Sequence, residues 1–232
     1  MAFNLIDHPI AFMQPRRFSP TSAWIQHIPF AAVLIDMLKP RTLVELGVHH
    51  GDSYCAMCQA VGELKLPTKC FGIDTWRGDA HAGFYPQQVL DALRGHHDPL
   101  YSNFSTLIQS DFDSAAARFE DDSMDLIHID GFHTYDAVQH DFETWLPKAS
   151  ISGGAVMIFH DTVVKHKDFG VWKFWEEVAP RYPSFNFEHG AGLGVLAVGT
   201  NSPAAFAAWL NDATRRPREM RVLFQGLGLE IE

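Results

Sequence analysis

The chain is short of cysteine, of positive charge and of long apolar runs, and each shortage narrows what it can be. Its 232 residues hold 3 cysteines, Cys55, Cys58 and Cys70. So low and odd a count builds no disulfide framework, which points to a reducing, cytoplasmic setting. Lys and Arg number 18 against 28 Asp and Glu, a formal net charge of −10. Nucleic acid and anionic membranes need a basic face that this balance does not supply. No run approaches the ~18 apolar residues of a membrane span. Residues 1–20 lack a basic start followed by an apolar core, so no secretory signal is expected. Internal repeats, low-complexity tracts and the G-x-G-x-x-G dinucleotide fingerprint are also missing. "VLFQG" (222–226) has the look of a viral 3C protease tag site. The last residues of the chain are accordingly given no functional meaning.

What the sequence does have is alternation. Short β-branched apolar runs predict strands at 42–48, 69–75, 104–111, 124–131 and 153–162. Helical spacing lies between them at 52–64, 86–96, 113–120, 135–146 and 170–179. Asp52 or Ser53 is expected to cap the 52–64 helix. In "YDAVQHDFETWL", Val138, Phe142 and Trp145 follow i, i+4, i+7. Residues 185–190 and 192–199 read as two closing strands joined by a tight turn, which must pair antiparallel because no helix separates them. The 21–38 segment reads as helical, with Pro29 able to break or kink it, and 202–216 as a C-terminal helix. The expected fold is α/β: a Rossmann-like doubly wound sheet, mostly parallel with an antiparallel last strand, helices on both faces. The chain is read as one domain over 1–232, with its core at about 40–199.

In an open parallel sheet, ligands bind outside the carboxyl ends of the strands. The expected strand ends deliver Glu45, Gly47 and the loop to Gly51; Asp74; Ser110 and Asp111; Asp130 and His133; and His160 with Asp161. The spacing of Gly47 and Gly51 is also that of an ordinary tight turn, but it lets a ligand approach the backbone at a helix N-terminus, near Ser53. Asp74 can accept both hydroxyls of a ribose. Asp111 and Asp113 read more simply as helix caps. Cys55 and Cys58 form C-x-x-C inside a helix with no second pair, which reads as packed core. Asp130, His160 and Asp161 can chelate a divalent cation and leave positions open for substrate. His133 reaches the same spot as ligand or general base. His128 is expected to be an interior histidine, and His49, His50, His96 and His97 to be solvated. Trp172 and Trp175 are expected in the core. In the loop 75–85, Trp76 is placed to cover an adenine or a sugar face, with Arg77, Asp79 and His81 placed to meet substrate.

Taken in order, "LVELGVHHGDS", "FGIDTWRGDAHAGFY", "DLIHIDGFHTYDAVQHDFETWLPK", "SGGAVMIFHDT" and "GLGVLAVG" resemble the class I S-adenosylmethionine-dependent methyltransferases. The nearest branch in that resemblance is the one associated with glycosyltransferases and surface-polysaccharide gene sets. It is similar to metal-dependent sugar and macrolide O-methyltransferases, and also to a cephalosporin hydroxylase family. The resemblance implies that Gly47 to Gly51, with Glu45 and Ser53 close by, wrap the methionine end of S-adenosylmethionine. It implies Asp74 on the ribose, and Ser110 and Asp111 beside the adenine. It further implies a cation (magnesium or manganese) on Asp130 and an acidic pair, which here is His160-Asp161. That substitution shifts the preference from magnesium toward manganese, iron or zinc, or toward no metal. The expected reaction is methyl transfer to a hydroxyl of a sugar or glycan-type small molecule, with His133 as base, His160 as its alternate, and Asp130 as orienting acid. The competing classes are a catalytically silent scaffold in polysaccharide assembly and a nicotinamide-dependent oxidoreductase. The latter needs a second mononucleotide half that the sequence does not display. The acceptor and the oligomeric state are left open.

Overall fold

The computed structural model describes residues 3–19, 22–79, 81 and 83–231. Thr21, at the start of the expected N-terminal helix, and Ala80 and Ala82 of the 75–85 loop lie outside the described residues. The strands are β1 (Thr42–Leu46), β2 (Lys69–Asp74), β3 (Gly78–Asp79), β4 (Gly83–Phe84), β5 (Ser105–Gln109), β6 (Leu126–Ile129), β7 (Val156–His160), β8 (Ser184–Phe187) and β9 (Leu193–Ala197). The helices are α1 (Ile28–Leu38), α2 (Asp52–Glu63), α3 (Gln88–Tyr101), α4 (Phe112–Ala116), α5 (Tyr135–Trp145), α6 (Val171–Val178), α7 (Ala204–Arg215) and α8 (Pro217–Leu229).

Seven strands form one sheet in the order β5-β2-β1-β6-β7-β9-β8, and β3 pairs with β4 in a separate small hairpin. The β1, β2, β5, β6 and β7 neighbours run parallel, and β9 runs antiparallel to both β7 and β8. The expected α/β fold with an antiparallel end is what forms. A nicotinamide-binding sheet would continue past the switch point with further parallel strands. Here β9 reverses instead.

The sheet is covered on both faces, which is why its central strands read as continuous apolar runs. Successive residues still alternate between two cores. Leu43 and Leu126 join Tyr54, Phe30 and Phe187 on one side, while Val44 and Ile127 join Trp145, Phe142 and Phe174 on the other. The registers Leu46↔Ile73, Leu46↔Ile129 and Ile129↔Phe159 bring these strands to a level finish. The residues that follow therefore emerge along one edge.

Several local expectations change. Pro29 does not break the N-terminal helix; a short 3-10 turn (Ile25–His27) leads into α1, and Pro29 sits in its first turn, where its missing N–H costs nothing. The α2 cap is Gly51, so Asp52 and Ser53 are helical. α3 runs on to Tyr101 with Pro99 inside it, and α4 is shorter than the 113–120 pattern. Trp175 is core, but Trp172 is only half-buried, with the Lys165 ammonium 4.3 Å above its ring. The "VLFQG" residues belong to α8. Phe224 is fully buried there, with ring centroids 5.2 Å from Phe30 and 5.7 Å from Phe187. Burying such a ring is worth about 2–3 kcal/mol, so this segment is a working part of the fold.

Candidate active site

At the carboxyl edge of the parallel strands lies a cavity of about 460 Å³, within the range of small-molecule sites. One wall is the loop from β1 to α2. Gly47 has φ +90° and Gly51 φ +83°, a region that favours glycine. A Cβ on Gly47 would collide with the Asp130 carbonyl, so the loop after β1 rests directly on the end of β6. Gly47, Gly51 and Ser53 face the cavity at the start of α2.

Asp74 also faces it, and it is a brace as well as a surface. Its Oδ2 accepts from the N–H of Val48 (3.0 Å) and His49 (2.9 Å), and its Oδ1 from Trp76 N–H (2.7 Å). Trp76, with φ +50°, turns its indole inward; it is 3 % exposed and donates Nε1–H to the His49 carbonyl at 3.0 Å. It therefore offers no face to an adenine or a sugar. The aromatic of this loop that lines the cavity is Tyr85, stacked on His49 with centroids 4.4 Å apart.

Glu45 and Ser110 stand behind the cavity wall. Glu45 is fully buried, accepts from the Ser53 hydroxyl at 2.5 Å, and lies 3.2 Å from His128 Nδ1, out of line for a hydrogen bond. Burial raises its pKa. Ser110 donates its N–H to the Asp74 carbonyl. Asp111 reaches the cavity while its Oδ1 caps α4 on Ser114 N–H at 2.7 Å.

Opposite these residues, the oxygens of Asp130 and Asp161 and a ring nitrogen of His133 all lie within 4.8 Å of one another. His133 Nε2 is 3.0 Å from Asp161 Oδ2 and 3.6 Å from Asp130 Oδ1. His160 stands just behind, with Nδ1 3.5 Å from both acids. Its Nε2 faces the Gly190 carbonyl at 3.0 Å, and a carbonyl only accepts, so that nitrogen carries the proton. Asp161 adopts φ +61°, a strained conformation for a non-glycine residue that turns its carboxylate into the cluster.

The electrostatics follow from these distances. Burial opposes protonation of His133, but hydrogen bonds to Asp130 and Asp161 outweigh it and raise its pKa to about 10. His160 is likewise raised, against its burial, by Asp130 and Asp161. Burial pushes the Asp130 carboxyl up, yet His160 and His133 hold it well below the usual range, and Asp161 is lowered in the same way. Asp141 of α5, against Gly131, shows the opposite case: burial raises its pKa to about 7.

The expected solvated histidines divide. His49 and His50 line the cavity, half-buried. His97 is buried, because Ser105 Oγ and Asp98 Oδ1 each lie 2.7 Å from its ring nitrogens and satisfy them inside the core. Cys55 and Cys58 are buried as expected, and burial pushes both thiols up. The apolar 21–38 segment could be expected to cover the site or a partner subunit, but the sequence singles out neither Ser19 nor Trp24. Ser19 donates its N–H and its hydroxyl to the two Asp52 oxygens (2.9 and 2.6 Å), and Trp24 joins the wall, its ring 5.9 Å from His160. No motif marks Trp24. Tyr85 carried one signal, its place in a glycine-containing loop after a strand end.

This sheet order, with a glycine turn leading into α2 and acids closing the next strand ends, defines the Rossmann-like fold of methyltransferases. Residues 44–162 match the sequence profile of the methyltransferase domain, and the chain belongs to that family. It is 44% identical over 215 residues to the Sinorhizobium fredii protein described as uncharacterized protein y4gI, covering 91% of this chain and 23% of that one. The chain thus spans about a quarter of the length of that curated relative. Its fold is similar to SAH-bound PaMTH1, a Podospora anserina methyltransferase (TM-score 0.55, 14% identity, 73% of this chain and 76% of that). It is similar also to the O-methyltransferase TomG of Streptomyces achromogenes, involved in tomaymycin synthesis and solved with SAM (TM-score 0.53, 16% identity, 77% and 88%). At such identities the likeness is one of fold. No helix among the described residues is long and apolar enough to cross a membrane.

Proposed function

We propose that this domain transfers a methyl group from S-adenosylmethionine to a hydroxyl of a sugar or glycan-type small molecule, with a divalent cation at the acceptor side. One observation carries the reading: the Gly47–Gly51 turn and Asp74 share a single cavity with Asp130, His133 and Asp161. The cofactor would supply an electrophilic methyl group, so catalysis rests on alignment of donor and acceptor. Gly47, Gly51 and Ser53 would receive its amino-acid end, the free lone pair of Asp74 Oδ1 its ribose, and Asp111 its adenine side. Glu45, behind Ser53, would orient that hydroxyl, and Ser110 would hold the Asp74 backbone.

Two carboxylates and an imidazole converging on one point fit a cation of the manganese, iron or zinc type better than magnesium. Bound by Asp130, His133 and Asp161, it would orient an acceptor hydroxyl and lower its pKa. His160, its Nε2–H on the Gly190 carbonyl and its Nδ1 directed at the two acids, is held protonated by Asp130 and Asp161, so it would complete the ligand set or take the acceptor proton only once their charge is neutralised. His133 is held protonated by its two carboxylates, so it serves as a base only once their charge is neutralised.

The test is a calorimetric titration of the metal-stripped protein with S-adenosylhomocysteine, repeated with magnesium and with manganese. Binding, strengthened by manganese, supports the reading. A flat titration under all three conditions overturns it.

A further inference from the structure

Three loops meet behind His133, each from a different strand end. Phe169, from the loop after β7, lies 4.8 Å from His133 with the rings only 2° from parallel. It also lies 4.7 Å from His81, of the loop after β2, at 18°. His81 and His133 are themselves 5.7 Å apart at 17°. A linear sandwich would put the outer rings about twice as far apart as neighbouring ones, given stacking distances of about 4.5–7 Å. The phenyl ring therefore roofs two imidazoles lying side by side. His81 is fixed beneath it: its Nε2 is 2.8 Å from Asp168 Oδ1, and its side chain is 4 % exposed. Phe132 closes on it from the side at 4.5 Å. The backbone ties the same loops, since Gly170 N–H donates to the His133 carbonyl at 2.7 Å.

We propose that Phe169, backed by the His81–Asp168 pair, is the positioning set that fixes the His133 ring plane with Nε2 aimed between Asp130 and Asp161. His81 is then a brace for a ligand, and the reading of it as a substrate contact gives way. The inference rests on the cation site of the proposed function. Apart from the contacts of Nε2 with the two acids, the plane of the His133 ring is held by flat aromatic contact: its Nδ1 has no hydrogen-bond partner among the described residues, so the usual polar anchor of a ligating histidine is replaced. Phe169 is half-buried and Asp168 exposed, so changing either leaves the two cores intact.

The experiment is a Mn²⁺ titration read by electron paramagnetic resonance, with the imidazole nitrogen coupling measured by echo modulation. It compares the unaltered protein with Phe169→Leu, Phe169→Tyr, Asp168→Ala and Asp161→Asn. Loss of an outer partner of a ligand costs about 10–100-fold in metal affinity. Phe169→Leu is expected to fall in that range with a weakened nitrogen coupling, Asp168→Ala to weaken binding less, and Phe169→Tyr to restore both readouts. In the Phe169 and Asp168 variants the metal-free S-adenosylhomocysteine affinity and the unfolding midpoint should stay unchanged, which a merely structural role would not allow. Undiminished affinity and coupling in Phe169→Leu, with binding still lost in Asp161→Asn, overturns the positioning role and leaves the cation site standing. No Mn²⁺ binding by the unaltered protein, or binding indifferent to Asp161→Asn, overturns both.

Discussion

Two polar constellations sit at opposite edges of the sheet, and by distance alone the wrong one looks catalytic. At the amino edge, Ser105 Oγ is 2.7 Å from His97 Nε2, and His97 Nδ1 is 2.7 Å from Asp98 Oδ1, the spacing of a serine nucleophile with its base and orienting acid. Tyr54 OH approaches the same serine oxygen at 2.6 Å and Cys58 donates to it at 3.5 Å. Yet Ser105 is 3 % and His97 1 % exposed, and neither lines the active-site cavity. At the carboxyl edge, Asp130, His133 and Asp161 are less tidily bonded, but they open on the cavity, and Asp161 sits on strained backbone. Satisfied hydrogen bonds describe a finished core. A site is recognised by groups that converge on space and still have bonds to make.

The sharpest way to break the comparison is at Asp161. Asp161→Asn is expected to abolish measurable Mn²⁺ binding while leaving the fold intact, because Asn keeps the shape and tolerates φ > 0. Retained binding would remove the distinction between the two edges.

Asp141 tests the electrostatic side. It is buried, and the charge of His140 on the same helix does not offset the loss of water as His133 and His160 do for Asp130. Its folded pKa of about 7 stands above an unfolded value of about 3.9. The folded state therefore holds the proton more tightly, so stability falls as pH rises from about 4 to about 7, and the full cost is present above that window. Asp141→Asn should gain about 2–4 kcal/mol at pH 8 and almost nothing at pH 4. Denaturant unfolding at the two pH values would show this. Equal gains at both would mean that the carboxyl is not the source.

Ser105→Ala is expected to cost about 1–3 kcal/mol of stability by stranding Tyr54 and His97, with S-adenosylhomocysteine and Mn²⁺ affinities unchanged. A loss of either affinity would argue that the sealed network feeds the open one. The smallest effect belongs to Arg41→Ala. That guanidinium meets Asp125 at 3.0 Å but is 74% exposed, so less than about 1 kcal/mol should be lost.

How far the sequence speaks can be judged residue by residue. Strand ends were legible because an apolar β-branched run closed by Asp or Gly is a local pattern, and a level parallel register carries it to one edge. Hence Gly47, Asp74, Asp111, Asp130, His133, His160 and Asp161 all line the cavity found. Trp76 was misjudged for want of a dihedral: its left-handed backbone turns the ring inward, and no residue type announces that. His97 was misjudged because its partner, Ser105, comes from a strand that the helix pattern alone does not bring near. The "VLFQG" stretch resembles a tag site only as a string; its helical periodicity places Phe224 on the buried face of α8. Trp24 and Phe169 reach the site through chain reversals, where spacing carries no information.

Because the Gly47 backbone bears directly on the Asp130 carbonyl, with no room for even one methyl group between them, the donor loop and the acceptor-side carboxylate mesh like two teeth. Neither can shift alone. If the domain binds both groups as proposed, whatever factor a bound cofactor adds to cation affinity the cation must return to cofactor affinity.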